Sequence, residues 1–132
     1  MTWQIVDKRY VGGNSVYGRD WSRLPACSVN VVGGRFNEPA VAAFGLSDGV
    51  FVQVLIDCEN RRVGFKILDK QEGRSHGFLL RQDRSGAKAL EFACKAICQA
   101  FPDARRCAYR LHLNSGERVI QMTLDEAERL SM

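Results

Sequence analysis

A pattern of punctuation that occurs twice constrains this chain more than any other feature. In its first occurrence a short strand is predicted over 28–32, broken by Gly33-Gly34 and followed by Asn37, Glu38 and Pro39. Asn37 suits a helix N-cap. Glu38 and Pro39 then fall in the first turn, where a carboxylate meets the helix dipole and a missing N–H costs nothing. The helix over 39–44 stops at Gly45, which takes a left-handed C-cap most readily, and Leu46 supplies the apolar contact beyond it. A turn at 47–49 leads to a strand over 50–56 that is apolar on both faces. A polar turn at 57–61 follows. The strand over 62–68 then alternates Val63, Phe65 and Ile67 against Arg62, Gly64 and Lys66, which marks burial of one face.

After a polar linker over 69–76 the order returns. A short strand is predicted over 78–81. Ser85 then caps a longer helix whose Leu90, Ala93, Cys94, Ile97, Cys98 and Phe101 form one apolar stripe, closed by Pro102. Residues 108–113 alternate Tyr109, Leu111 and Leu113 against Arg110 and His112, and Asn114-Ser115-Gly116 turns the chain into a return strand over 118–123. The tail over 124–132 reads as a short amphipathic helix capped by Thr123 or Asp125. The expected fold is a single α+β domain of 132 residues, a length that suits one compact core. Its two strand–helix–β-hairpin units, 27–68 and 77–123, form a mainly antiparallel sheet or barrel, preceded by an N-terminal aromatic arm over 1–26. The repeat of order with little residue identity suggests duplication.

The arm differs in composition from the rest. It holds both tryptophans, Trp3 and Trp21, together with Tyr10, Tyr17, Arg9, Arg19 and Arg23, and none of the seven phenylalanines. Tyr, Trp and Arg are enriched where binding energy concentrates. Trp3, Tyr10, Tyr17, Arg19, Trp21 and Arg23 therefore form a predicted partner-binding surface. The alternative is a strand pair turned at Gly12-Gly13-Asn14 whose aromatics cover the core.

Several chemistries lack their residues. No apolar run approaches the ~18 residues that span a bilayer, and the N-terminus has no apolar signal core. Five cysteines without dense even spacing read as reduced thiols in a cytoplasmic protein. The stretch from Gly33 to Leu46 resembles a phosphate cradle only at first sight. Such a loop runs its glycines straight into a helix whose free N–H groups meet the ligand, whereas here Asn37 caps those groups and Glu38 sets a negative charge beside them. There is no GxxxxGK[ST] sequence, so no small-molecule cofactor is expected. Cys58 lies near Arg61 and Arg62, which favour a thiolate, but no base accompanies it in sequence. Cys94 and Cys98 share a helical face and lack the further ligands of a zinc site. We expect no catalytic residues, no metal and no enzyme.

The charge points elsewhere. The chain carries a net +4, with fourteen arginines against five lysines, and the arginine fork suits phosphate or an acidic surface. The stretch from Gly33 to Leu68 resembles the swapped-hairpin DNA-binding modules of the AbrB-like transition-state regulators and MraZ. The positions that carry the likeness are Gly34-Arg35, Pro39, Gly45-Leu46, Asp48-Gly49 and the two strands over 50–56 and 62–68. The resemblance implies modules that interlock into dimeric barrels and present basic loop residues to DNA, with Arg35 as a contact and Arg81 and Arg84 in the equivalent place of the second unit. The expected function is a non-enzymatic DNA-binding regulator, a homodimer touching phosphates through Arg35, Arg61, Arg62, Arg81 and Arg84, with Arg110 and His112 lining a strand face. Arg105-Arg106 before a strand is a further place for phosphate contact. The alternative is a small phage- or mobile-element-encoded modulator of a host protein complex, or a single-stranded nucleic-acid binder, acting through the aromatic arm.

Overall fold

The computed structural model describes residues 23–82 and 88–130. Most of the predicted arm, including Trp3, Tyr10, Tyr17, Arg19 and Trp21, lies outside the described residues, as does Arg84. The rest is a mixed fold built mainly of strands, with two antiparallel sheets and three α-helices among the described residues. In chain order the first elements are β1 (Ala26–Val29), β2 (Gly33–Phe36), α1 (Glu38–Phe44), β3 (Phe51–Asp57) and β4 (Arg62–Leu68). Then come α2 (Lys70–His76), β5 (Phe78–Leu79), β6 (Arg81–Gln82), β7 (Leu90–Ala93) and α3 (Lys95–Ala100). A 3₁₀ turn (Pro102–Ala104), β8 (Ala108–Arg110), β9 (His112–Asn114), β10 (Val119–Thr123) and β11 (Arg129–Leu130) complete the series among the described residues.

One sheet has the order β11-β8-β1-β2-β7-β6, and the other β5-β3-β4-β10-β9. Neither closes on itself or on the other, so the antiparallel reading holds and the barrel does not. The chain passes between the sheets through α1, between β10 and β11, and at two one-residue corners, where Leu80 parts β5 from β6 and Leu111 parts β8 from β9. Both leucines are buried, and their amides bond to Val50 and Pro25 carbonyls at 2.8 Å, so each bend keeps its backbone satisfied.

The core lies between the sheets. Phe36 of β2, Phe92 of β7 and Phe65 of β4 meet with centroids 4.9–5.4 Å apart, two of the three pairs edge to face. Around them Cys27, Val29, Val52, Val63, Ile120 and Met122 alternate inward, and Ile97 enters from α3. α1 forms as the sequence dictates. Asn37 Oδ1 accepts the Ala40 N–H at 3.0 Å, Pro39 sits in the first turn, and Gly45 closes the helix at φ 63°.

Four local expectations change. Gly33-Gly34 does not break a strand but begins β2. A Cβ on Gly33 would run into the Phe92 carbonyl, and one on Gly34 would lie 2.6 Å from the Phe92 ring, so glycine lets β2 lie close against β7. The turn falls earlier, where Asn30 Oδ1 accepts the Val32 and Gly33 N–H groups. The long second helix is also replaced. Leu90 and Phe92 are buried and Glu91 and Ala93 exposed, the period-2 pattern of a strand, and among the described residues of that stretch only Lys95–Ala100 is helical, the predicted cap Ser85 lying outside them. The linker over 69–76 contains α2, capped by Asp69, whose side chain accepts the Glu72 N–H at 2.8 Å. In the tail, Asp125 caps a turn through the Glu128 N–H, and Arg129–Leu130 pairs with β8 as a strand in place of a helix.

The pairings obey an exchange. β1 pairs with β2 as β6 pairs with β7, and β3 with β4 as β9 with β10. Between the halves, β1 pairs with β8 as β5 pairs with β3, while β2–β7 and β4–β10 each join the same position of both halves. Counting β5 with β6, and β8 with β9, as single strands bent at Leu80 and Leu111, swapping the halves leaves these pairings unchanged, and β8–β11 alone has no counterpart among the described strands.

Candidate nucleic-acid interface

Strand register decides which arginines share a surface. Cys27, Gly34, Phe36 and Phe92 point into the core, so their neighbours point away from it. Ser28 is opposite Arg35, Arg35 opposite Glu91, and Glu91 opposite Arg81, giving one row across β1, β2, β7 and β6 on the outer face. Arg110 of β8 lies opposite Ala26 on that same face, since Tyr109 beside it is buried. Arg81 and Arg110 are exposed, and Arg35 is half-buried. Arg105 and Arg106 are exposed at the end of β1, where the Arg106 N–H donates to the Val29 carbonyl at 2.8 Å and Arg106 takes φ 65°. Three of the six expected phosphate contacts, Arg35, Arg81 and Arg110, thus come together, as strand residues of one sheet.

Arg61 and Arg62 are placed differently. At the β3–β4 turn Arg61 takes φ 53°, donates to the Leu124 carbonyl at 2.9 Å, lies 5.2 Å from the Phe101 ring centroid and pairs with Asp103 at 2.6 Å. It ties the hairpin to the second half of the chain. Arg62 donates to Asp57 at 2.9 Å and reaches Gln121 at 3.4 Å, with Glu117 at 3.7 Å. The Asn60 side-chain amide and then Arg62 hold the Asp57 carboxyl down at about 2, and the same pairing raises Arg62 above the ordinary guanidinium range. Both guanidinium groups face carboxylates of the same chain.

His112 does not share a face with Arg110, because the chain changes sheets at Leu111 between them; its Nε2 lies 3.0 Å from Glu128 Oε2. Arg23, the part of the predicted partner surface that is described, is exposed. Burial pushes the Cys27 thiol up to about 12, Cys94 is buried too, and Cys58 is exposed in the β3–β4 turn. Among the described residues no three His, Cys, Asp or Glu side chains gather as metal ligands, and no helix is long and apolar enough to cross a membrane.

A second concave region was not visible in the sequence. Between α1 and the inner face of β4, β10 and β9 a groove of about 420 Å³ is lined by Phe44, Ile67, Leu113 and Ile120, with Lys66 and Arg118 among its lining residues. Alternation had placed Ile67 and Leu113 in the core. They are on the inward face, yet 49% and 60% exposed.

Compared with protein-family models, with curated proteins and with solved structures, the chain matches none.

Proposed function

We propose that the protein is a non-enzymatic nucleic-acid-binding module whose contact surface is the outer face of the sheet containing β1, β2 and β7. One observation carries this reading. Arg35, Arg81 and Arg110, spread over three strands and 75 residues of sequence from 35 to 110, share one face, with Arg105 and Arg106 at its end. β8 and β6 are four strand intervals apart, about 19 Å at the usual inter-strand spacing, enough to meet phosphates on both sides of a major groove about 12 Å wide. Glu91 in the middle of the row opposes tight, uniform phosphate neutralisation, which fits a modest number of contacts. Duplex DNA is the expected ligand, bound through phosphates with little base readout.

Anisotropy titration of a labelled 25-base-pair duplex at 50–200 mM salt tests the reading. With about four phosphate contacts, affinity should fall about 100-fold over that range. The double variant Arg81→Ala, Arg110→Ala should bind more weakly and lower the salt slope by about two. Absence of duplex binding at 50 mM salt, or an unchanged slope in the variant, overturns it.

A further inference from the structure

We propose that α2 is a hinge through which two copies of the chain exchange halves, each folded unit taking β1–β4 from one copy and β5–β11 from the other. Among the described strands, the parts of the chain before and after α2 meet through four pairings, β1–β8, β2–β7, β3–β5 and β4–β10. The ring cluster likewise joins Phe36 and Phe65, before α2, to Phe92, after it. None of these contacts depends on which copy supplies the second half, and exchange of identical parts is a low-cost route to a dimer. Each arginine face then holds Arg35 of one copy with Arg81 and Arg110 of the other.

The closed and exchanged forms differ only in the connection. β4 and β5 flank β3, so residues 69–77 must cross it, a span of two inter-strand spacings or about 10 Å. They cross as α2, a helix of seven residues in which Gly73 is buried and every other residue is exposed. A helix this short is marginal without packing, and glycine in its interior weakens it further. Its seat on β3 has no slack. A Cβ on Gly73 would run into the Phe51 ring, and one on Gly77 would lie 3.0 Å from Phe51 Cβ. Unwound, residues 69–77 reach about 30 Å, enough to carry the second half onto a neighbouring copy. A short tether holds the halves at an effective concentration in the millimolar range, so the closed monomer dominates below it. Crowding the seat of α2 moves the balance toward the dimer.

The test uses full chains defective in opposite halves. Val63 of β4 and Met122 of β10 are buried and directly opposite one another, so Val63→Asp and Met122→Asp each set an unpaired charge in the core and should unfold the chain that carries it. Refolded together from urea in equal amounts, the two chains should recover up to half of the parent's near-ultraviolet circular dichroism, because exchange assembles one unit free of both substitutions. In an otherwise unaltered chain, Gly73→Val should lower the concentration of half-dimerisation in sedimentation at least tenfold. Adding Phe51→Ala, which reopens the seat, should return that chain toward monomer. Absence of recovery in the mixture overturns the proposal whatever Gly73→Val does, since a dimer without recovery is association between surfaces. A folded Gly73→Val chain that stays monomeric overturns α2 as the hinge. Neither readout depends on nucleic-acid binding.

Discussion

Asn37 does more for the fold than its small size suggests. It is buried, with 4% of its surface exposed. Its Oδ1 accepts from Ala40 N–H, capping α1, and from Ala26 N–H at 3.0 Å, while its Nδ2 donates to the Leu24 carbonyl at 2.7 Å. One side chain thus joins the start of β1 to the start of α1. Asn37→Ala removes a cap, worth about 1 kcal/mol, and strands a buried N–H that costs about 1–3 kcal/mol. Urea denaturation should therefore show a loss of about 2–4 kcal/mol. Asn37→Asp keeps the acceptor but not the donor to Leu24, and should not restore full stability. A loss below about 0.5 kcal/mol for the alanine variant would show that water replaces the side chain.

At the scale of elements, the two long hairpins solve their turns alike. Asp57 accepts the Asn60 N–H and Asn114 the Glu117 N–H, each at 3.2 Å, and Arg61 and Arg118 follow in left-handed conformations at φ 53° and 57°. The first hairpin adds a titratable lock, since Asp57 also accepts from Arg62 and has its carboxyl held at about 2. A depressed carboxyl stabilises the fold above its ordinary value of 3.8, and that contribution fades as pH falls toward 2. Asp57→Asn should accordingly be less stable than the parent at pH 6. The gap in urea midpoint should narrow between pH 4 and pH 2, and a gap that is constant with pH would exclude the carboxylate as its source. Such local features were legible in sequence: the α1 caps at Asn37 and Gly45, the turn at 57–61 and the alternating strand Arg62–Leu68 all depend on neighbours within a few residues. β7 was not, because Leu90-Glu91-Phe92-Ala93 alternates over only four residues inside a stretch that also keeps helical spacing; pairing with β2 decides it. α2 was missed because its Lys-Gln-Glu-Gly-Arg-Ser-His sequence has no apolar stripe, and packing of Gly73 against Phe51 fixes it in place. The arginine row was illegible for a related reason. Arg35 and Arg81 are 46 residues apart in sequence, and only the registers of β2, β7 and β6 put them on one face.

For the whole molecule, the exchange of pairings has a mechanical consequence. The strands β1–β4 meet the strands β5–β10 through four cross-half pairings, β1–β8, β2–β7, β3–β5 and β4–β10. Each sheet mixes both halves, and the aromatic cluster takes Phe36 and Phe65 from one and Phe92 from the other. The first half taken alone keeps two hairpins but loses β7 beside β2, β10 beside β4 and Phe92, one of the two rings that pack on Phe36. Isolated hairpins are marginal in water, and the removed contacts leave an apolar face open. Cleaving the chain between His76 and Gly77 therefore tests whether the halves are interlocked. Fragments 1–76 and 77–132 should each lack near-ultraviolet circular dichroism and dispersed amide resonances. Mixed in equal amounts they should recover both, with a thermal midpoint that rises with concentration because folding has become bimolecular. If either fragment melts cooperatively by itself at a concentration-independent temperature, the halves are autonomous units side by side and the interlocked reading fails.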